Sequence, residues 1–141
     1  MNKMSLAKIL IVEDNEDDIF FIKKAFKDND IANDLLIAKD GETGLEMVRK
    51  HMPDIVILDI NLPAKNGLEV LQEIKQDDKL KKIIVVILTS SESDKDICNS
   101  YKFHANCYII KPIRFQQLME IVKQVGSLFL GVVRLPFAEE K

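Results

Sequence analysis

Short apolar runs rich in isoleucine and valine recur along the chain, separated by stretches with a different period. Each run is too short for a typical helix and has the β-branched composition of a strand that is buried on both faces of a sheet. These runs predict five strands, at residues 7–13, 34–39, 54–60, 82–88 and 107–110.

Between the runs, apolar residues recur every three or four positions opposite lysine and aspartate, which predicts amphipathic helices. The clearest stretches contain Ile19, Ile22 and Phe26; Leu45 and Val48; Leu68, Leu71 and Ile74; and Phe115, Leu118, Val122 and Val125. Strands that alternate with helices predict an α/β fold, in which five helices cover both faces of a five-stranded, parallel, doubly wound sheet. No internal repeat or linker interrupts the pattern, so we expect one domain over residues 1–127 and an apolar C-terminal extension over 128–141.

Composition and charge narrow the classes of protein further. The 141 residues are enough for one domain with a substantial core. The 20 basic and 23 acidic side chains give a net charge of −3, which offers no basic footprint for nucleic acid. The apolar run near the N-terminus is too short for a signal peptide or a membrane span. We therefore expect a cytoplasmic protein that binds neither nucleic acid nor a membrane.

Polar side chains follow the predicted strands at the edge where such sheets carry their sites. The run 54–60 stops at Asp59, a carboxylate that is costly to bury without partners. Other strands end near Glu13, Asp14, Thr89 and Lys111. Each of these residues alone has an ordinary explanation, as a helix cap, a strand end or a surface lysine. Their convergence on one edge is better explained by a functional site.

The acidic groups at this edge predict a metal site. Clustered carboxylates repel one another unless a cation or Lys111 compensates their charge. Hard oxygen ligands in an open crevice suit Mg²⁺. We expect Asp14 and Asp59 as direct ligands, Glu13 as a ligand through water, and the backbone carbonyl of Asn61 as a further ligand.

The same residues predict phosphoryl chemistry. A Mg²⁺ ion with open coordination positions would make Asp59 a candidate nucleophile that forms an aspartyl phosphate. The Lys111 ammonium would neutralise one phosphoryl oxygen, and the Thr89 hydroxyl would donate a hydrogen bond to another.

In this order, the motifs resemble those of a response-regulator receiver domain. They are Glu13 and Asp14 after "ILIV", Asp59 in "DINLPAKNG", Thr89 in "ILTSS", and Lys111 and Pro112 in "YIIKP", and the resemblance covers residues 6–127. It implies the flavodoxin-like order of strands. It also implies Asp59 as phosphoacceptor, Thr89 as the switch hydroxyl and Lys111 as the phosphate-binding cation.

The resemblance has further consequences for single residues. It implies that Glu13, Asp14 and the Asn61 carbonyl surround Mg²⁺. It implies that Tyr108 is the aromatic switch residue, whose ring turns inward when the threonine moves toward the phosphate; an ordinary half-buried aromatic is the other reading. A cis peptide bond before Pro112 is also implied. Many relatives have aspartate where this chain has Glu13, so the reach of that side chain differs.

The last residues of the chain indicate a subgroup within this family. Together with "NEDD" and "NCYIIKP", they are similar to those of stand-alone regulators associated with phytochrome-type histidine kinases. This implies a single-domain regulator whose partner is a histidine kinase. The extension 128–141 either folds back on its own domain or forms a partner surface, for a homodimer or for the kinase.

The leading hypothesis for function is therefore a two-component phosphorelay. A histidine kinase would transfer a phosphoryl group to Asp59, and the repacked domain would then act on another protein. We expect the domain to catalyse only its own phosphorylation and dephosphorylation and not to be an enzyme otherwise. The alternative is a receiver-like interaction module that is never phosphorylated. A haloacid-dehalogenase-like phosphatase would need a second aspartate where the chain has Asn61. A flavodoxin-like or dinucleotide-binding protein would need a phosphate loop in place of "VEDNEDD".

Overall fold

Five parallel strands form one sheet in the order β2-β1-β3-β4-β5. The computed structural model describes residues 7–30 and 32–129. Its elements are β1 (Ala7–Val12), α1 (Glu16–Asp28), β2 (Ala32–Ala38), α2 (Gly41–His51), β3 (Ile55–Leu58), α3 (Gly67–Gln76), β4 (Ile84–Thr89), α4 (Asp94–Lys102), β5 (Cys107–Ile110) and α5 (Phe115–Phe129). The predicted fold class is confirmed.

The buried residues of each central strand alternate between two cores, because successive side chains of a strand point to opposite faces. The core beneath α2 and α3 contains the strand residues Leu10, Val12, Val56, Leu58, Val85 and Ile87. The core beneath α1 and α5 contains the strand residues Ile9, Ile11, Ile55, Ile57, Val86 and Leu88. Burial on both faces explains why the sequence shows continuous apolar runs rather than alternation.

Polar caps determine where the first four helices begin. The side chains of Asn15, Asp40, Asn66 and Ser93 each accept a hydrogen bond from a backbone N–H of the following first turn. Such caps satisfy donors that have no partner inside the helix. Each cap follows the end of a strand, so these four helices begin at the carboxyl edge of the sheet.

Strand β5 has the predicted bounds, and the other strands differ from theirs by one or two residues at one end or at both. β3 ends at Leu58, so Asp59 is the first residue beyond the strand. β4 begins at Ile84 rather than at residue 82, because the N–H of Ile83 donates to the carbonyl of Leu80 in the preceding turn. The apolar runs thus include residues of the adjoining turns.

Helix α4 is the most weakly buried of the first four helices. Its only buried residue is Ser100, whereas α1, α2 and α3 each bury four residues. Within the described residues, the Ser100 hydroxyl has no hydrogen-bond partner. The apolar stripe that predicts other helices is therefore nearly absent from α4.

The described part of the chain includes only the start of the predicted C-terminal extension. Helix α5 continues through the predicted boundary at 127 and 128 and is described as far as Phe129. Residues 130–141 lie outside the described residues, so their role as an interface stays a prediction. None of the helices described is long and apolar enough to cross a membrane.

Replacing Ile87 by alanine should destabilise the domain, because this side chain is 0% exposed in the middle of β4. The free energy of unfolding, measured by urea denaturation, should fall by about 2–5 kcal/mol. Ile110→Ala is the matched control, since the same change is made in the neighbouring strand where the side chain is 38% exposed. That variant should lose less than about half as much. Equal losses would contradict the two-sided core.

Candidate functional site

The carboxyl ends of β1, β3 and β5 surround an open crevice of about 430 Å³. Its lining residues are Glu13, Asp14, Asn15, Asp18, Asp59, Asn61, Ser90, Lys111 and Pro112. The sheet therefore brings together the carboxylates, the asparagine and the lysine that were selected from the sequence. The Lys111–Pro112 peptide bond is cis, as the resemblance implied.

Three carboxylates in the crevice lie close enough to share a cation. One oxygen from each of Glu13, Asp14 and Asp59 lies within 4.8 Å of the others. Glu13 and Asp59 are buried, whereas Asp14 is exposed. Carboxylate oxygens on a partly open site are the donor set that a hard divalent cation prefers. The residues present thus fit such an ion.

Backbone hydrogen bonds hold the two buried carboxylates in place. The N–H of Asp59 donates to the carbonyl of Val12 at 3.1 Å, and the N–H of Glu13 donates to the carbonyl of Ala38 at 2.9 Å. These bonds extend the strand pairing of β1 with its neighbours by one residue. The carboxylates therefore leave the sheet from rigid backbone rather than from a free loop.

Among the described residues that line the crevice, Lys111 is the one with a positively charged side chain. Its Nζ lies 3.1 Å from Glu13 Oε1, 2.7 Å from Asp18 Oδ2 and 3.3 Å from Asp59 Oδ2. The backbone N–H of Lys111 donates to the carbonyl of Thr89 at 2.8 Å. One ammonium thus meets three carboxylates, and Asp14 adds a further negative charge beside them.

The crowding of charge changes the proton affinity of Glu13 and Lys111. Burial, followed by the negative charge of Asp59, raises the pKa of Glu13 from 4.5 to about 7, against the opposing hydrogen bonds from Asn15 and Lys111. Burial lowers the pKa of Lys111, but its hydrogen bonds to Asp18 and Glu13 and the charge of Asp59 outweigh burial and leave that pKa above its ordinary value. Lys111 therefore stays charged at neutral pH.

The β3–α3 connection folds back over the phosphoacceptor candidate. The N–H of Asn61 donates to Asp59 Oδ1 at 3.3 Å, and the N–H of Gly67 donates to the carbonyl of Ile60 at 2.8 Å. A Cβ atom at Gly67 would lie 2.1 Å from the Asp59 carbonyl oxygen. Glycine is required there because the backbone approaches too closely for any side chain.

The predicted switch residues Thr89 and Tyr108 meet at the β4–α4 connection. Thr89 is fully buried, and its Oγ1 accepts a hydrogen bond from the N–H of Ser91 at 3.4 Å. The Tyr108 hydroxyl donates to the carbonyl of Ser91 at 2.9 Å. Ser90, rather than Thr89, is among the residues that line the crevice. The two switch candidates therefore share Ser91 as a neighbour.

Comparison with known proteins identifies the chain's family. Residues 9–123 match the response regulator receiver domain. The chain belongs to this family. Over 137 residues the receiver domain is 37% identical to Response regulator Rcp1 of Synechocystis sp., an alignment that covers 92% of this chain and 93% of Rcp1. The resemblance inferred from the motifs is confirmed.

Solved structures support the same assignment. The receiver domain is similar to the phosphorylated cyanobacterial phytochrome response regulator RcpA, with a TM-score of 0.81 and 39% identity over 93% of this chain and 99% of RcpA. It is similar to the Mn²⁺-bound form of Rcp1, with a TM-score of 0.77 and 37% identity over 91% of this chain and 97% of Rcp1. The chain is thus a response regulator of the two-component type.

Sequence reasoning missed two polar contacts of this receiver domain. Asp18 binds Lys111 although 93 residues separate them, and the Ser91 hydroxyl donates to Asp96 Oδ2 at 2.6 Å. The "NEDD" run after the acidic pair contains Asp18 and was the available signal for the first contact. The direction in which helix α1 presents that side chain could not be read from the run. Ser91 belongs to the "ILTSS" motif, but the motif does not indicate its contact with Asp96.

The raised pKa of Glu13 predicts a pH dependence of stability in metal-free buffer. Because this pKa is about 7 in the folded protein and 4.5 in the unfolded reference, the native state keeps a proton that the unfolded chain loses. The contribution of Glu13 is therefore fully present below pH 4.5 and is lost as the pH rises through about 7. In urea denaturation with EDTA, the free energy of unfolding of the wild type should therefore fall, relative to that of Glu13→Gln, as the pH rises from 4.5 through about 7.

Glu16→Gln is the matched control for this measurement, since Glu16 is exposed in the first turn of α1. This variant should keep the wild-type fall in stability. Parallel curves for wild type and Glu13→Gln would show that Glu13 titrates at its ordinary pKa.

Proposed function

We propose that this receiver domain accepts a phosphoryl group from a histidine kinase on Asp59 and thereby changes a surface that binds another protein. The observation that carries the proposal is the buried Asp59 carboxylate at the base of an open crevice, with Lys111 and two further carboxylates around it. The family supports the phosphorelay setting. Phosphoryl transfer needs mainly positioning and charge stabilisation, which these side chains can supply.

The proposed transfer is a displacement at phosphorus. An oxygen of Asp59 forms a bond to phosphorus while the bond from phosphorus to the donor nitrogen of a phosphohistidine breaks. The leaving imidazole keeps the electron pair of that bond and takes up a proton. The Lys111 ammonium, which already contacts Asp59 Oδ2 at 3.3 Å, would bind a phosphoryl oxygen of the product.

A divalent metal ion belongs to this proposal, and we assign Mg²⁺ to the role. Asp14 and Asp59 would bind it directly, the Asn61 carbonyl would be a further ligand, and Glu13 would bind through water. When bound, the ion supplies positive charge to the carboxylates and to the phosphoryl oxygens. The clustered oxygens of this chain support the assignment, as does the Mn²⁺-bound form of the similar protein Rcp1.

The switch would start at the β4–α4 connection. The Thr89 hydroxyl would donate to a phosphoryl oxygen, and Ser91, whose N–H it now binds, would move with it. Tyr108 would respond because its hydroxyl binds the Ser91 carbonyl. Helix α4 offers little resistance to repacking, since Ser100 is its only buried residue. The outcome is a shift between two packings of α4 and β5.

We infer a phytochrome-type histidine kinase as the phosphodonor. The support is similarity: RcpA is described as a cyanobacterial phytochrome response regulator, and it shares 39% of its sequence with this chain over 99% of its length. A kinase of this kind would meet the receiver domain in the cytoplasm, where we expect it. The target of the switched surface is a protein, because the net charge of −3 does not favour nucleic acid.

Phosphorylation of Asp59 can be tested with a small phosphodonor. Incubation with acetyl phosphate and Mg²⁺ should add the mass of one phosphoryl group to the intact protein, and EDTA should prevent the gain because the carboxylates then lack their cation. Asp59→Asn should show no gain by mass spectrometry.

Asp54→Asn is the matched control, since Asp54 is an exposed aspartate at the opposite end of β3. It should be phosphorylated like wild type. Labelling of Asp59→Asn at the wild-type level would show that Asp59 is not the nucleophile. The absence of labelling in every protein would favour an interaction module that works without phosphorylation.

The switch can be tested by comparing Thr89→Ala with Ser90→Ala. Thr89 contacts Ser91, whereas Ser90 is an exposed neighbour on the crevice wall. On phosphorylation, wild type and Ser90→Ala should show large changes in amide chemical shift across residues 89–102 and at Tyr108. Thr89→Ala should still be phosphorylated but should show much smaller changes. Equal changes in both variants would place the switch elsewhere.

A further inference from the structure

The carboxylate of Asp18 is the crevice group that the proposed reaction does not use. Asp18 lies in the first turn of α1, and its Oδ2 is 2.7 Å from Lys111 Nζ. This is the shortest of the three contacts that the ammonium makes, against 3.1 Å to Glu13 and 3.3 Å to Asp59. The ammonium therefore lies closer to the carboxylate of α1 than to that of the phosphoacceptor.

An ammonium group has three N–H donors. Three carboxylates lie within hydrogen-bonding distance of Lys111. A phosphoryl oxygen can bind this lysine only if one of the carboxylates gives up its contact. The arrangement thus sets Asp18, Glu13 and Asp59 in competition with the phosphoryl group for one cation.

Burial decides which contact is given up. The side chains of Glu13 and Asp59 are 2% and 7% exposed, so neither can exchange the lysine for water. The side chain of Asp18 is 29% exposed, and water can replace the lysine there. Glu13 would continue to anchor the ammonium near Asp59 after Asp18 releases it.

We propose that Asp18 is a positioning residue that competes with the phosphoryl group for Lys111 and thereby restrains phosphorylation of Asp59. The inference rests on the proposed function of Asp59. Asp18 acts in two ways: it occupies a donor of Lys111, and it adds negative charge to the crevice that an anionic phosphodonor must enter. Its removal frees the donor and leaves Lys111 anchored by Glu13.

Asp17 provides a matched control for every measurement. It is an exposed aspartate in the same first turn of α1, so Asp17→Asn removes the same charge from the helix N-terminus as Asp18→Asn. Among the described contacts, Lys111 pairs with Asp18 and not with Asp17. A difference between the two variants therefore reports the contact with Lys111.

The first test measures the ion pair in metal-free buffer. A double-mutant cycle that combines Asp18→Asn with Lys111→Met should give a coupling in urea denaturation, because each change removes the same contact. The cycle with Asp17→Asn should give none within error. Equal couplings in the two cycles, or none in the Asp18 cycle, would overturn the proposal.

The second test measures the reaction in Mg²⁺ at fixed ionic strength. Asp18→Asn should raise the apparent second-order rate constant for acetyl phosphate by about three- to tenfold, the size of one charge interaction in a partly hydrated site. The beryllofluoride concentration that half-saturates the protein, followed by ¹⁹F NMR, should fall by a similar factor. Asp17→Asn and the charge-preserving Asp18→Glu should stay close to wild type.

The outcomes separate this inference from the proposed function. A wild-type protein that neither gains a phosphoryl group nor binds beryllofluoride defeats both. The proposed function of Asp59 stands if the wild-type protein gains a phosphoryl group and binds beryllofluoride. The role of Asp18 is overturned if, in addition, Asp18→Asn reacts with acetyl phosphate at the rate of Asp17→Asn or more slowly than wild type.

Discussion

The site depends on the compensation of negative charge at the carboxyl edge of the sheet. Glu13 and Asp59 are buried within reach of Asp14, an arrangement that is unfavourable for carboxylates alone. Lys111 meets this charge from β5, which pairs with β4 at the edge of the sheet. Stability and chemistry therefore involve the same few side chains.

The backbone that carries Glu13 and Asp59 is held by the sheet and by its two cores. Asp59 and Glu13 follow two adjacent strands whose buried residues fill both cores, and their backbone N–H groups continue the hydrogen bonding of the sheet. Gly67 lets the β3–α3 connection return against Asp59 without a clash. The two buried carboxylates are thus carried by backbone that belongs to the hydrogen-bonded sheet.

The region that the proposed switch would move follows strand β4. Thr89, Ser91 and Tyr108 are joined by hydrogen bonds at the β4–α4 connection. The helix that follows buries a single residue, Ser100, so little apolar surface opposes its displacement. A strongly buried half that holds the charges and a weakly buried half beside it suit the two-state switch that we propose.

The sequence by itself determined the alternation of strands and helices, since buried parallel strands and amphipathic helices have different apolar periods. It also identified Glu13, Asp14, Asp59, Asn61 and Lys111 as neighbours, because parallel strands bring their carboxyl ends to one edge. The weakly buried helix α4 left no such period, and the strand ends shifted by one or two residues because turn residues are apolar as well. Only the tertiary structure decided that Asp18 shares Lys111 with the site and that Tyr108 reaches Ser91. Those contacts depend on the direction of single side chains across elements that are distant in the chain, which the period of a pattern does not contain.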